Sequence, residues 1–247
     1  MSNPIIEAKN INFGYEGRSI LEDASLKIYS GDFMAIVGPN GSGKSTLMKI
    51  CTGLMKPRQG SVILFGKDIS KFKEWGRIGY VPQNATSFNQ GFPATVEEIV
   101  KSNLYSRIGL MGRINKKHIE KVHESLDLVG MLDFKDRMVG KLSGGQQQRV
   151  FIAKALVSSP EILFMDEPTS GIDANSEKEF YALMEELNKN KNITIVMVTH
   201  DIGAVSKNIS RVICLSKGKA HEHDCGIDMA GLNELYGHEV APLRHNH

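Results

Sequence analysis

Gly38-Pro39-Asn40-Gly41-Ser42-Gly43-Lys44-Ser45-Thr46 is the stretch on which the fold turns. It follows a short apolar run, Phe33–Val37, of the kind buried inside a sheet, and it leads into a helical pattern over residues 46–54. The spacing G-x-x-x-x-G-K-[ST] between a strand and a helix is that of a phosphate-binding loop. Glycines let successive backbone N–H groups turn inward around phosphate oxygens, and the following helix adds its positive N-terminal end. In such a loop Lys44 reaches the β- and γ-phosphates of a nucleotide, and Ser45 supplies a hydroxyl to Mg²⁺. A chance glycine turn carrying Lys-Ser explains neither flank.

The second half of such a site lies far along the chain, at Ile162-Leu163-Phe164-Met165-Asp166-Glu167. An apolar strand ending in two acids puts both at the carboxyl edge of a sheet, where open α/β sheets bind ligands. Asp166 is the expected partner of Mg²⁺ through water, and Glu167 the candidate general base for an attacking water. An apolar run followed by Asp-Glu is a weak signal alone and a strong one after a phosphate loop. His200 follows a predicted strand in Thr199-His200-Asp201. Its residues alone allow either a γ-phosphate contact or an ordinary loop histidine.

Outward from these anchors, the first third of the chain carries strand patterns at 5–13, 24–29, 61–65 and 77–81. The middle turns helical, over 96–105, 116–129 and 144–158. In the second of these Ile119, Val122, Leu126 and Val129 recur at intervals of three or four. Strand and helix then alternate again: strand 162–165, amphipathic helix 176–189 capped by Asn175 or Ser176, strand 193–198, short helix 202–207, strand 212–215, and a hairpin turn at Lys217-Gly218-Lys219. The predicted fold is an α/β phosphate-loop NTPase core with a mainly parallel sheet, N-terminal antiparallel β elements and an inserted helical lobe at about 84–157. Residues 1–225 read as a single domain and 226–247 as a histidine-containing tail. No internal repeat is visible, which excludes two tandem copies of the core.

The bulk composition is that of an ordinary globular protein: 247 residues, 41% hydrophobic and 23% charged. A formal net charge of +2 gives no electrostatic argument for nucleic acid. Three scattered cysteines, Cys51, Cys214 and Cys225, suggest no disulfide framework and fit a reducing cytoplasm. The opening Met-Ser-Asn-Pro-Ile-Ile-Glu has neither a basic stretch nor an apolar core, which argues against secretion. No uncharged apolar run approaches the ~18–20 residues that span a bilayer, so work at a membrane requires a separate spanning chain.

Leu142-Ser143-Gly144-Gly145-Gln146, followed by Gln147, Gln148 and Arg149 in a predicted helix, resembles the signature of ABC ATPases. Ser143 is placed to cap that helix, and Gly144 and Gly145 let its N-terminus approach an anion closely. The other family elements fall in order over about residues 5–220. The resemblance implies that Tyr15 stacks on adenine, that Gln83 in Tyr80-Val81-Pro82-Gln83 contacts Mg²⁺ or water and senses the transporter, that Asp173 in Ser170-Gly171-Ile172-Asp173 belongs to the D-loop, and that His200 is the switch histidine. Gly171 stands where many members carry alanine. Without the resemblance Tyr15 reads as a packing aromatic and Gln83 as a loop residue. Such proteins sandwich two ATPs between two copies, the phosphate loop of one facing residues 142–146 of the other. The resemblance therefore implies ATP and Mg²⁺ as ligands and a homodimer, or pairing with a close relative.

Residues 84–100, directly after Gln83, resemble the zinc and manganese importers of this family, the zinc branch most closely. The implied chain is an importer ATPase on the cytoplasmic face of the cell membrane, coupled to a permease that meets this segment and indirectly to an extracellular metal-binding protein. Phe88 and Phe92 suit a partner groove or packing within the helical lobe. His221, His223 and Cys225 are a candidate zinc set, since alternate residues of an extended segment share one face and imidazole and thiolate suit zinc; loose tail histidines are the competing reading. Alternatives for the whole chain are the same motor moving manganese, iron or another solute, and a soluble ATPase of the iron–sulfur assembly type.

Overall fold

The computed structural model describes residues 3–83, 91–109, 112–199 and 209–224. In chain order the elements are β1 (Ile6–Tyr15), β2 (Arg18–Ile28), β3 (Phe33–Val37), α1 (Lys44–Cys51), β4 (Gln59–Leu64), β5 (Lys67–Asp68), β6 (Ile78–Val81), α2 (Val96–Ser102), α3 (Tyr105–Ile108), α4 (Lys116–Leu128), α5 (Gly144–Leu156), β7 (Ile162–Asp166), α6 (Ala174–Lys191), β8 (Thr194–Val198), β9 (Arg211–Ser216) and β10 (Lys219–Asp224). The described residues divide between two compact units, drawn from Met1–Lys73 with Thr194–His247 and from Glu74–Ile193.

In the first unit β1 pairs antiparallel with both β2 and β4. The β1–β2 turn places Glu16 and Gly17 at φ 41° and 85°, the left-handed pair that matches strand twist in a tight hairpin. β2 is longer than its pattern of 24–29. Its buried residues run Leu21, Ala24, Leu26 and Ile28. Asp23, at φ 57° beside a register shift, breaks the alternation after Leu21, so a period-two reading recovers only the later half. β3 lies between β8 and β9, parallel to both. All five residues of β3 and all five of β8 are buried, as expected of central parallel strands covered on two faces. β10 returns antiparallel along β9 through Lys217 and Gly218, both at positive φ, which is the hairpin that the residues predicted.

In the second unit β6 and β7 run parallel, with Val81 opposite Met165. The bidentate contact of Arg77 with Glu161 (2.6 and 2.9 Å) ties the entries of these two strands. α4 buries Val122 and Leu126 on the predicted face. The helix expected over 96–105 stops at Ser102 and is followed by the separate short α3. Ser102 Oγ turns back to Ile99 O, and the Asn103 amide donates to Lys154 O on α5 at 2.8 Å. α6 begins earlier than expected: its cap is Asp173, not Asn175 or Ser176. The Asp173 carboxylate accepts from both of those backbone N–H groups, at 3.1 and 3.0 Å, which a shorter or later cap does not satisfy. Among the described residues no helix is long and apolar enough to cross a membrane. The predicted helix at 202–207 and the tail after Asp224 lie outside the described residues.

Candidate functional site

In the first unit, the loop from Gly38 to Thr46 joins β3 to α1. Gly38 has φ 151°, and a Cβ there would sit 2.1 Å from the Leu215 carbonyl oxygen on β9. Gly43, at φ 99°, starts α1, and a Cβ on it would meet Leu21 and Ile20 at 2.8 and 2.9 Å. Glycine is therefore required at both ends of the curl, by contact as well as by backbone conformation. Lys44 is buried, and its Nζ donates to Gly38 O (2.8 Å) and Pro39 O (3.0 Å). Ser42 Oγ is buried with no hydrogen-bond partner. A buried cation, an unsatisfied hydroxyl and a helix N-terminus drawn together by glycines suit an anion with several acceptor oxygens. Pro39, Asn40 and Gly41 are exposed, Ser45 is half-buried and Thr46 is buried. Gly38→Ala is expected to destabilise the protein by roughly 2 kcal/mol or more, because backbone must move away from Leu215. Denaturant unfolding checks this.

Tyr15 ends β1 with its ring half exposed. Its edge packs on Phe13 (centroids 5.0 Å apart, planes at 82°), and its hydroxyl approaches the Met55 sulfur at 3.6 Å. An open aromatic face of this kind is available for stacking.

In the second unit β7 delivers Asp166, buried, and Glu167, half-buried, at its carboxyl end. Burial, and after it the Asp166 charge, pushes the Tyr80 phenol up to about 12, so this neighbour stays protonated. Glu167 adopts φ 46°, a left-handed conformation that costs a residue with a Cβ. Gln83, just past β6, donates from Nε2 to Glu167 Oε2 at 2.7 Å. The parallel pairing of β6 and β7 brings these two side chains together across 84 residues of sequence.

Ser143 caps α5 in a reciprocal box: its Oγ accepts from Gln146 N at 3.3 Å, and Gln146 Oε1 accepts from Ser143 N at 3.0 Å. A Cβ on Gly145 would stand 2.8 Å from Ser176 Oγ, so this glycine allows the start of α5 to meet the start of α6. A Cβ on Gly144 would meet only Gly171 O and Ile172 Cγ2, both at 3.9 Å, which is ordinary contact. Asp173, capping α6, also accepts from Ser176 Oγ at 2.7 Å; the bonds from the Ser176 backbone and hydroxyl hold its carboxyl below the ordinary range.

Three further contacts escaped the sequence reading. Buried Gln148 donates from Nε2 to Pro168 O, and Arg149 joins α5 to Val129 O (3.2 Å) and to Glu179 (2.5 Å). The available signal was a pair of glutamines, Gln147 and Gln148, on positions where the helical period expects apolar residues. His200, Phe88 and Cys225 lie outside the described residues. Phe92 is exposed. His221 is exposed on β10 opposite Cys214, with His223 two residues on in the same strand. Among the described residues no group of three or more His, Cys, Asp or Glu is placed to hold a metal ion.

A glycine-wrapped helix N-terminus with a buried lysine, following the central strand of a parallel array, defines a phosphate-loop nucleotide-binding α/β protein. The family model described as ABC transporter matches residues 21–170. The chain is 45% identical over 226 residues to the zinc uptake system ATP-binding protein ZurA of Listeria innocua, covering 90% of this chain and 88% of that protein. It is 42% identical over 197 residues to the manganese transport system ATP-binding protein MntB of Bacillus subtilis, covering 80% and 77%. A solved dimeric ATP-binding cassette, MJ0796, in a post-hydrolysis state bound to ADP and Pi, matches with TM-score 0.76 and 29% identity over 90% of this chain and 99% of that one. The chain belongs to the ABC transporter family, and it is an ATPase of that family.

Proposed function

We propose that this chain hydrolyses ATP to drive uptake of zinc through a separate membrane permease. The observation that carries the cargo is the 45% identity to a zinc uptake ATP-binding protein over nine-tenths of the chain. Residues 1–225 act as one ATPase domain, with the helical segment at about 84–157 as its lobe, and two copies form the working unit. Solved relatives of this fold include a dimeric cassette. The permease meets the segment after Gln83, on the cytoplasmic face of the membrane, and an external metal-binding protein feeds the permease.

The residues divide the labour as follows. Tyr15 stacks on adenine. Backbone N–H groups from Gly38 to Thr46, with Lys44 and the Ser42 hydroxyl, hold the phosphates. Ser45, Asp166 and Gln83 offer the hydroxyl, carboxylate and amide oxygens that a hard cation prefers, so the donor set fits Mg²⁺, whose charge when bound neutralises the phosphate oxygens. Glu167 takes the proton of the attacking water, and His200 holds that water in line. Ser143, Gly144, Gly145 and Gln146 of the second copy present the N-terminus of α5 to the γ-phosphate, with Asp173 beside them. Catalysis is then positioning and charge stabilisation.

Manganese is the second reading, supported by the 42% identity to a manganese transport ATP-binding protein. Deleting the gene separates the two. We expect high-affinity uptake of labelled zinc to fall to background while manganese uptake is retained, with zinc uptake restored by the wild-type chain. Normal zinc uptake in the deletion strain contradicts the cargo assignment.

A further inference from the structure

Glu167 is held from two sides. Gln83 grips its carboxylate, at 2.7 Å. The other constraint acts on its backbone and comes from α5, the helix that begins at the family signature. Gln148 is almost wholly buried there, and its amide donates to the carbonyl oxygen of Pro168, the residue after Glu167.

That carbonyl is an effective handle. Proline has no N–H and a fixed φ, so the carbonyl is the one backbone hydrogen-bonding group that Pro168 offers. Pro168 is itself buried, which makes a donor necessary. Glu167 at φ 46° occupies a region that residues with a Cβ avoid, and such conformations persist only where the surroundings over-determine them. Restraints on this turn include the β6–β7 pairing up to Met165, the bond from Ser170 N to Glu167 O at 3.2 Å, and the bond from Gln148 to Pro168. The donor stands on firm ground, because α5 is anchored through Arg149 to Val129 O and Glu179, and through Lys154 O to Asn103.

We propose that Gln148 is a positioning residue for the hydrolytic step: by holding Pro168 O it fixes the left-handed turn that aims the Glu167 carboxylate. The inference rests on the reading of Glu167 as general base. Misaiming a base by a fraction of an ångström lowers the rate of proton transfer with little effect on nucleotide affinity.

The test uses the full chain with Gln148→Glu, which keeps the shape but replaces the donor, and Gln148→Met, which keeps the length without polarity. Each is made alone and on a Glu167→Gln background. Both single variants are expected to bind ATP with affinity within about threefold of wild type and to lose about tenfold or more in kcat. On the Glu167→Gln background, the same substitutions should change the residual single-turnover rate by less than about twofold, because the group that Gln148 aims is already gone. Equal proportional losses on both backgrounds, or loss of ATP binding in both variants, mark a general role in the fold and overturn the proposal. Normal kcat in the single variants with an inactive Glu167→Gln overturns the positioning role alone. Wild-type turnover by Glu167→Gln itself removes the general base and the positioning role together.

Discussion

Glu167→Gln is expected to lower ATP turnover by on the order of a thousandfold while leaving ATP affinity within a few fold. General-base catalysis contributes about 10²–10⁴ in rate, and glutamine cannot accept the proton of the attacking water. The substitution is otherwise gentle. The side chain keeps its length, and its amide oxygen can still accept from Gln83 Nε2 where the Glu167 carboxylate does now, at 2.7 Å. The left-handed turn at Glu167 and the bond from Gln148 to Pro168 involve backbone groups that the change does not alter. Steady-state phosphate release and equilibrium binding of ATP separate the two effects. Retention of turnover within about tenfold removes Glu167 from its role.

Lys44→Ala is expected to lower kcat/KM for ATP by on the order of a hundredfold or more, the usual cost of removing one preorganised donor from developing negative charge. The change strikes a different step from the first, because it acts in the first unit and on phosphate binding. Lys44 Nζ lies against Gly38 O and Pro39 O, inside the curl of the loop. The buried ammonium therefore stands at the place to which the loop's glycines bring an anion. Alanine is well tolerated at the first position of α1, so the thermal midpoint should move much less than the kinetics. An arginine at this position should not restore activity, since its forked head does not match a site shaped for a point charge. Turnover within a few fold of wild type contradicts the reading of the loop.

Much of the fold was legible because its central strands are continuous apolar runs bounded by chemically distinctive ends. β3 matched residue for residue, and β7 and β8 were placed to within a residue, since strands buried on both faces carry no polar interruption. β2 was half missed because a bulge at Asp23 destroys the period on which the reading depends. The start of α6 was misplaced because Asn175, Ser176 and Asp173 are all credible caps in isolation; only the geometry of two N–H groups converging on one carboxylate decides among them. The phosphate loop was legible down to Lys44 because its physics is local: glycines, a lysine and a helix end within nine residues. The pairing of Gln83 with Glu167 was not, because it depends on β6 lying beside β7 in a given register. The partner of Gln148 was invisible for the same reason: two glutamines on apolar positions of α5 are legible, but nothing local announces that one donor meets a carbonyl twenty residues on.

In the proposed mechanism ATP completes each site by joining two copies, phosphate loop against signature. The solution mass of Glu167→Gln, measured by light scattering with and without ATP and Mg²⁺, tests it most directly. We expect a monomer without nucleotide and a stable dimer with ATP that ADP does not support. A monomer at saturating ATP contradicts it.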